Sequence, residues 1–124
     1  MTKQHSFKFG HLKLMDYFAI LTCKEGVNID FKEIIEIQSV LYPFCNGKKF
    51  GLIAVKDNSY SVNPFAVNML FSHEFLVAGA IVGYTKAAQI SAEIEQDVIE
   101  TVPIKFFYEM DLAIDWIEYM VKTI

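Results

Sequence analysis

The stretch Phe50-Gly51-Leu52-Ile53-Ala54-Val55-Lys56-Asp57-Asn58-Ser59-Tyr60-Ser61-Val62-Asn63-Pro64 decides how this chain is read. Residues 50–55 are apolar or small, end β-branched and are bounded by polar side chains, the pattern of a strand covered on both faces. The polar turn behind them leads to Asn63-Pro64, a capping residue followed by the residue best tolerated in a first helical turn. The helix it opens carries Val67 and Leu70 and runs to about Phe71.

Working outward, residues 75–84 repeat the buried-strand pattern. Upstream, Asp30 and Glu33 are spaced as a capping box. The helix behind them carries Ile34, Ile37, Val40, Leu41 and Phe44 on one stripe and should end near Asn46-Gly47, with Pro43 disfavouring helical geometry at Tyr42. Downstream, Thr85 or Lys86 opens a helix expected to turn Ala87, Ser91, Ile94 and Val98 inward and Lys86, Glu93, Asp97 and Glu100 outward. After Pro103, residues 104–108 return as a strand. A last helix from about Met110 places Leu112, Ala113, Trp116, Ile117, Met120, Val121 and Ile124 on a wide stripe, with Trp116 expected to be buried. At the N-terminus, residues 6–14 alternate with a phase change at Gly10-His11, read as one strand with a β-bulge. A break at Met15-Asp16 joins it by a hairpin to residues 17–23. The order predicts a single α/β domain spanning residues 1–124, with about five strands and about four helices. Its core strands are mostly parallel, and an antiparallel hairpin begins it.

The chain has 124 residues, 11 basic and 15 acidic, for a net charge of −4. At this length folding hides roughly two thirds of the unfolded surface, so a core forms without disulfides or a structural metal. A hydrophobic content of 53% removes any case for disorder. Every basic residue is a lysine, and the acidic balance leaves no basic stripe, which argues against nucleic acid and anionic membranes as partners. Mean hydropathy of +0.29 suggests spare apolar surface and self-association as a homo-oligomer. Met1-Thr2-Lys3-Gln4-His5 shows no signal peptide and no apolar run is long enough for a transmembrane segment, so a cytoplasmic location is expected. Cys23 and Cys45 lack thiol or histidine neighbours at ligand spacing and read as buried reduced thiols.

Motifs for catalysis, cofactors and metals fail one by one. His73-Glu74 lacks a second histidine, since Val77 stands where it must fall. His5 and His11 have no carboxylate or cysteine cluster beside them. Gly79 and Gly83 lie within a strand pattern, and Gly47-Lys48-Lys49 ends a helix, so neither dinucleotide nor phosphate loop is present. Glu93, Asp97 and Glu100 form a solvated helical face without backbone oxygens to complete a cation site. No catalytic residue, metal or cofactor is therefore assigned, and the chain is expected not to be an enzyme. Asp57, Asn58, Ser59, Tyr60, Ser61 and Asn63 remain as the candidate binding or regulatory residues, because ligands and modifications gather beyond the C-terminal ends of strands. The bland reading is a turn whose Asn and Ser side chains satisfy the backbone.

The order of elements and several segments resemble the small bacterial STAS-like proteins, the SpoIIAA-like or STAS/SEC14-like group related to anti-sigma-factor antagonists. The segments are residues 50–55, the turn 58–64, the apolar residues 77–84, and Lys105-Phe106-Phe107-Tyr108-Glu109 followed by Ala113, Trp116 and Ile117. The resemblance implies a SpoIIAA-like fold and a regulatory protein partner. Better-known antagonists are phosphorylated on a serine in Asp-Ser-x-Gly at this turn. Here Ser59 and Ser61 occupy a similar place, but Asn58 follows Asp57 and no glycine follows either serine. The SEC14 side of the likeness implies an apolar ligand. The leading expectation is a non-enzymatic cytoplasmic module that binds a protein partner through the turn and neighbouring helices. The alternative is a small-molecule or lipid-binding domain.

Overall fold

The computed structural model describes residues 3–124; Met1 and Thr2, and the N-terminal reading that includes them, lie outside the described residues. The chain runs β1 (Lys3–Phe7), β2 (Gly10–Leu14), β3 (Phe18–Cys23), β4 (Asn28–Ile29), α1 (Phe31–Cys45), β5 (Phe50–Lys56), β6 (Ser61–Val62), α2 (Pro64–Leu70), β7 (Leu76–Gly83), α3 (Lys86–Val98), β8 (Ile104–Phe107) and α4 (Met110–Thr123). Six strands form one sheet in the order β1-β2-β3-β5-β7-β8, and β4 pairs with β6 in a separate small ladder. The first three strands are antiparallel to one another, and β3, β5, β7 and β8 are parallel.

The expected α/β architecture is thus present, with one correction at its start. Residues 6–14 are the arms of a hairpin, β1 and β2, with Phe7 paired to Gly10 across Lys8-Phe9. The phase change at Gly10 marks a reversal of direction instead of a bulge. A Cβ on Gly10 would lie 2.1 Å from the Thr22 carbonyl oxygen, so the strand beside it admits only glycine there.

Two cores sandwich the sheet. On one side α1 and α2 bring Ile34, Ile37, Leu41, Ala66 and Leu70 against Leu12, Leu21 and Leu52. On the other, α4 brings Ala113, Ile117 and Val121 against Ile53, Ala78 and Val82. The strands β5 and β7 lie between these layers, which is why their sequences read as continuous apolar runs instead of alternating. The helix α4 sits close on the sheet because Gly51 has no side chain; a Cβ there would be 2.5 Å from Ile117 Cγ2.

Helix ends follow their local chemistry. The Asp30 carboxylate accepts from Phe31 N at 2.8 Å. It also accepts from the Glu33 backbone N–H, and Asp30 N donates to Glu33 Oε1 at 2.9 Å, which completes the capping box. The helix continues through Pro43 to Cys45 and ends at Asn46, which is left-handed at φ 49°. Asn63 Oδ1 accepts from Phe65 N at 3.0 Å with Pro64 in the first turn of α2.

Two helix faces differ from expectation. In α3, Ala92 and Glu95 are buried, as is Ile99 at its C-terminal cap, while Ala87, Ser91 and Ile94 are exposed and Val98 is half-buried. An apolar residue every three or four positions fits both faces of this helix, and the sheet chooses between them. Gly83 accepts Ala88 at close range, and Lys56 attracts Glu95 inward. In α4 the buried stripe is narrower than expected: Leu112 and Ile124 are exposed. Trp116 is half-buried, lying on Phe107 at 5.8 Å between ring centres, because it flanks the edge strand β8 instead of the sheet centre.

Candidate functional site

The parallel strands β3, β5 and β7 end side by side, and their C-terminal ends deliver Cys23, Lys56 and Gly83 to one edge of the sheet. The turn beyond β5 is fastened to the loop beyond β3. Gly26 N donates to the Ser59 carbonyl at 2.7 Å, Ser61 N to Val27 O at 3.0 Å, and Asn63 N to Ile29 O at 2.8 Å. Gly26 makes this possible with φ 75°, a conformation a side chain disfavours.

The six turn residues divide by role. Asn58 Nδ2 donates to Cys23 O at 3.0 Å, Ser61 Oγ to Asn28 Oδ1 at 2.8 Å, and Asn63 Nδ2 to Asp30 Oδ1 at 3.0 Å. These three side chains hold the loops together, as the bland reading has it. Tyr60 is turned inward, its hydroxyl donating to Val55 O at 3.2 Å and its ring 4.8 Å from Lys56 Nζ. Asp57 and Ser59 are exposed and face solvent. Ser59 is tied through its main chain, its N–H donating to Glu25 Oε2 at 2.9 Å. Across from the turn stand Thr85, Ala87 and Ser91 of α3, and between them runs an open groove of about 300 Å³.

One polar contact in this region was missed in the sequence. Lys56 Nζ lies 3.0 Å from Glu95 Oε2, with both side chains 8% exposed. The contact is a close ion pair without the alignment of a hydrogen bond, for Oε2 has no hydrogen-bond partner among the described residues. The signal was the spacing Ala88, Ala92, Glu95, Ile99, which puts Glu95 on an inward stripe with small residues. Beside the pair, burial pushes the Cys23 thiol up to about 11 and raises the Tyr60 phenol. Cys23 is thus a protonated core residue instead of a nucleophile.

These groups edge an apolar cavity between the sheet and helices α1 to α3, lined by Leu21, Ile34, Leu52, Leu70 and Ile99 among others. Its volume is about 40 Å³. That is room for a few waters, against roughly 300 Å³ or more for a small-molecule pocket. The parallel strands advance across the sheet without reversing order, so no crevice opens at a topological switch point. Among the described residues, no cluster of His, Cys, Asp and Glu is placed to hold a metal, and no helix is long and apolar enough to cross a membrane.

Alongside the turn, the outer face of α3 exposes apolar side chains. Ile90 is 51% and Ile94 57% exposed, one helical turn apart and continuous with Ala87 and Ser91 on the groove wall. By periodicity Ile94 reads as core, because periodicity alone cannot tell which face meets the sheet.

No family model and no curated protein matches this chain. Its fold is similar to the crystal structure of an uncharacterized protein from the DUF3478 family, with a SpoIIAA-like fold, from Shewanella loihica PV-4. The TM-score is 0.59 at 10% identity, covering 94% of this chain and 92% of the other. The STAS-like resemblance drawn from the sequence is thereby supported at the level of architecture: the chain has a SpoIIAA-like fold.

Proposed function

We propose that this protein is a non-enzymatic, cytoplasmic module that binds a protein partner through the exposed part of the turn, Asp57 and Ser59, and the outer face of α3. The observation that carries the reading is the pair Ile90 and Ile94, exposed on a helix whose groove wall is shared with the turn. Apolar side chains grouped beside a polar rim are the composition of an interface core. Free, buried thiols at Cys23 and Cys45 are in keeping with a reducing compartment. The apolar cavity against the sheet, about 40 Å³, is small for the apolar-ligand alternative.

The test is affinity purification from the native cell, paired with thermal melts, for wild type, Ser59→Asp and Ile90→Asp. Both substitutions lie at exposed positions, so the melts should stay within a few degrees of wild type. The expected result is loss of a specific captured protein by both variants. Unchanged capture, or a lipid retained by the purified wild-type protein in native mass spectrometry, contradicts the reading.

A further inference from the structure

We infer that the segment held by α3 is a basic amphipathic helix of the partner protein, an inference that rests on the binding surface proposed above. The face has an apolar centre with acidic margins. Ile90 and Ile94 lie one turn apart, with Ala87 beside them. Helical geometry at about 100° per residue places Glu93 and Asp97 along one flank of this ridge, and Glu100 follows just past the end of the helix at Ile99. All three are exposed. Ser91 and the groove lie on the other flank, and the exposed Asp57 lines the far side of that groove.

Among the described residues, none of these four carboxylates forms an ion pair; the pair that Glu95 makes with Lys56 is on the buried face. The cation of the helix is Lys86, at its N-terminus and hydrogen-bonded to Gln89 at 3.4 Å. Lys105 is occupied elsewhere, its Nζ 5.4 Å from the Phe107 ring centre on the α4 side of β8. Unpaired carboxylates bordering exposed isoleucines repel an acidic partner, an anionic membrane and a phosphate backbone, and they complement lysine or arginine. The ridge from Ala87 to Val98 is about three turns long, the length over which a partner helix presents anchors at i, i+3, i+4 and i+7. Affinity then comes from the isoleucines, and orientation and partner choice from the carboxylates. Exposed ion pairs contribute little to affinity, but they steer encounter in a salt-dependent way.

The experiment measures fluorescence anisotropy with a fluorescein-labelled amphipathic helix of leucine and lysine, ~18 residues or five turns long. The control peptide has glutamate in place of every lysine. The proteins are wild type, Ile90→Ser/Ile94→Ser and Glu93→Gln/Asp97→Asn, each verified by thermal melt; all four positions are exposed and should leave folding unchanged. The lysine peptide should bind wild type, Ile90→Ser/Ile94→Ser should weaken it by about tenfold or more, and Glu93→Gln/Asp97→Asn should weaken it by a smaller factor, about threefold to fivefold. Added salt should weaken wild type more than the carboxylate-free variant, and the glutamate peptide should not bind. Equal binding of both peptides, or lysine-peptide binding that neither variant weakens, overturns the inference. Self-association of wild type that Ile90→Ser/Ile94→Ser abolishes in sedimentation also overturns it, by assigning the face to a second copy of this chain.

Cross-linking separates this inference from the reading beneath it. If a captured partner depends on Ile90 and Ile94 but cross-links to α3 through a neutral or acidic segment, the basic helix is wrong while the binding surface stands. If capture ignores Ile90 and Ile94, the surface itself is wrong and the inference falls with it.

Discussion

Helices α3 and α4 cover opposite faces of the same two strands, β7 and β8, and they do so with opposite use of their large apolar residues. In α4 the isoleucine at the centre, Ile117, is fully buried and enters the space left by Gly51. Asp111 in its first turn and Lys122 in its last complement the helix dipole. In α3 the inward face carries Ala88, Ala92 and Glu95, and the isoleucines point to solvent. One helix is held by volume. The other is held by small contacts, a hydrogen bond from Gln96 Nε2 to Ile104 O at 2.9 Å, and an ion pair. In α4 the central isoleucine fills the core and Leu112 is left exposed at the margin of the stripe, whereas α3, docked by alanines and a buried charge pair, leaves both of its isoleucines in solvent.

The largest expected effect attacks that charge pair. Glu95→Ala leaves Lys56 buried without a counter-charge and should cost about 3–5 kcal/mol in urea melts. Replacing both partners, Lys56→Met with Glu95→Leu, should restore wild-type stability or exceed it, because the desolvation of both charges disappears together. A single-variant loss below about 1 kcal/mol would mean that water reaches the pair and that α3 is held by other contacts.

On α4, Ile117→Ala should cost about 3 kcal/mol, from lost transfer energy and the cavity left against Gly51. Trp116→Ala should cost less, about 1.5–2 kcal/mol, since the ring is only half-buried against Phe107. Ile94→Ala on α3 should stay within about 0.5 kcal/mol of wild type. Equal losses at Ile117 and Ile94 would erase the distinction between the helices.

Alkaline pH should act on the first of the two cores. Burial pushes both Cys23 and Cys45 from an ordinary value near 9 to about 11. A raised thiol pKa means that the folded state holds its protons more tightly. The stabilisation is complete below pH 9 and is lost as pH rises from about 9 towards 11. Resistance to chemical denaturation should therefore fall over that window. Iodoacetamide at pH 8 should label neither thiol until urea unfolds the chain, which mass spectrometry of labelled peptides checks. Rapid labelling of native protein would show that the core around α1 opens readily.

Most of the architecture was legible because its signals are local. The capping pairs Asp30 and Glu33, Asn63 and Pro64, and the run 50–55 between two helices each dictate their own element. What was not legible depended on neighbours distant in sequence. Gly10 is required because Thr22 of β3 lies against it, a contact the local sequence does not show. The orientation of α3 follows from Gly83 and Lys56, and both faces of its sequence carry apolar residues at helical spacing. Trp116 sits on the expected side of α4 but beyond the centre of the sheet, where an edge strand covers half of it. The turn was located correctly as an exposed loop at a strand end. The division of its side chains was hidden, because the partners of Asn58, Ser61 and Asn63 lie between the end of β3 and the start of α1, more than thirty residues upstream.

The most direct measurement compares one exposed apolar residue from each helix. Ile94 on α3 and Leu112 on α4 are similarly exposed, at 57% and 52%. Ile94→Asp and Leu112→Asp should both fold with wild-type melts. In affinity purification from the native cell, Ile94→Asp should lose a protein that wild type and Leu112→Asp retain. Loss of that protein by Leu112→Asp, with Ile94→Asp unaffected, would contradict the account and move the binding surface to α4.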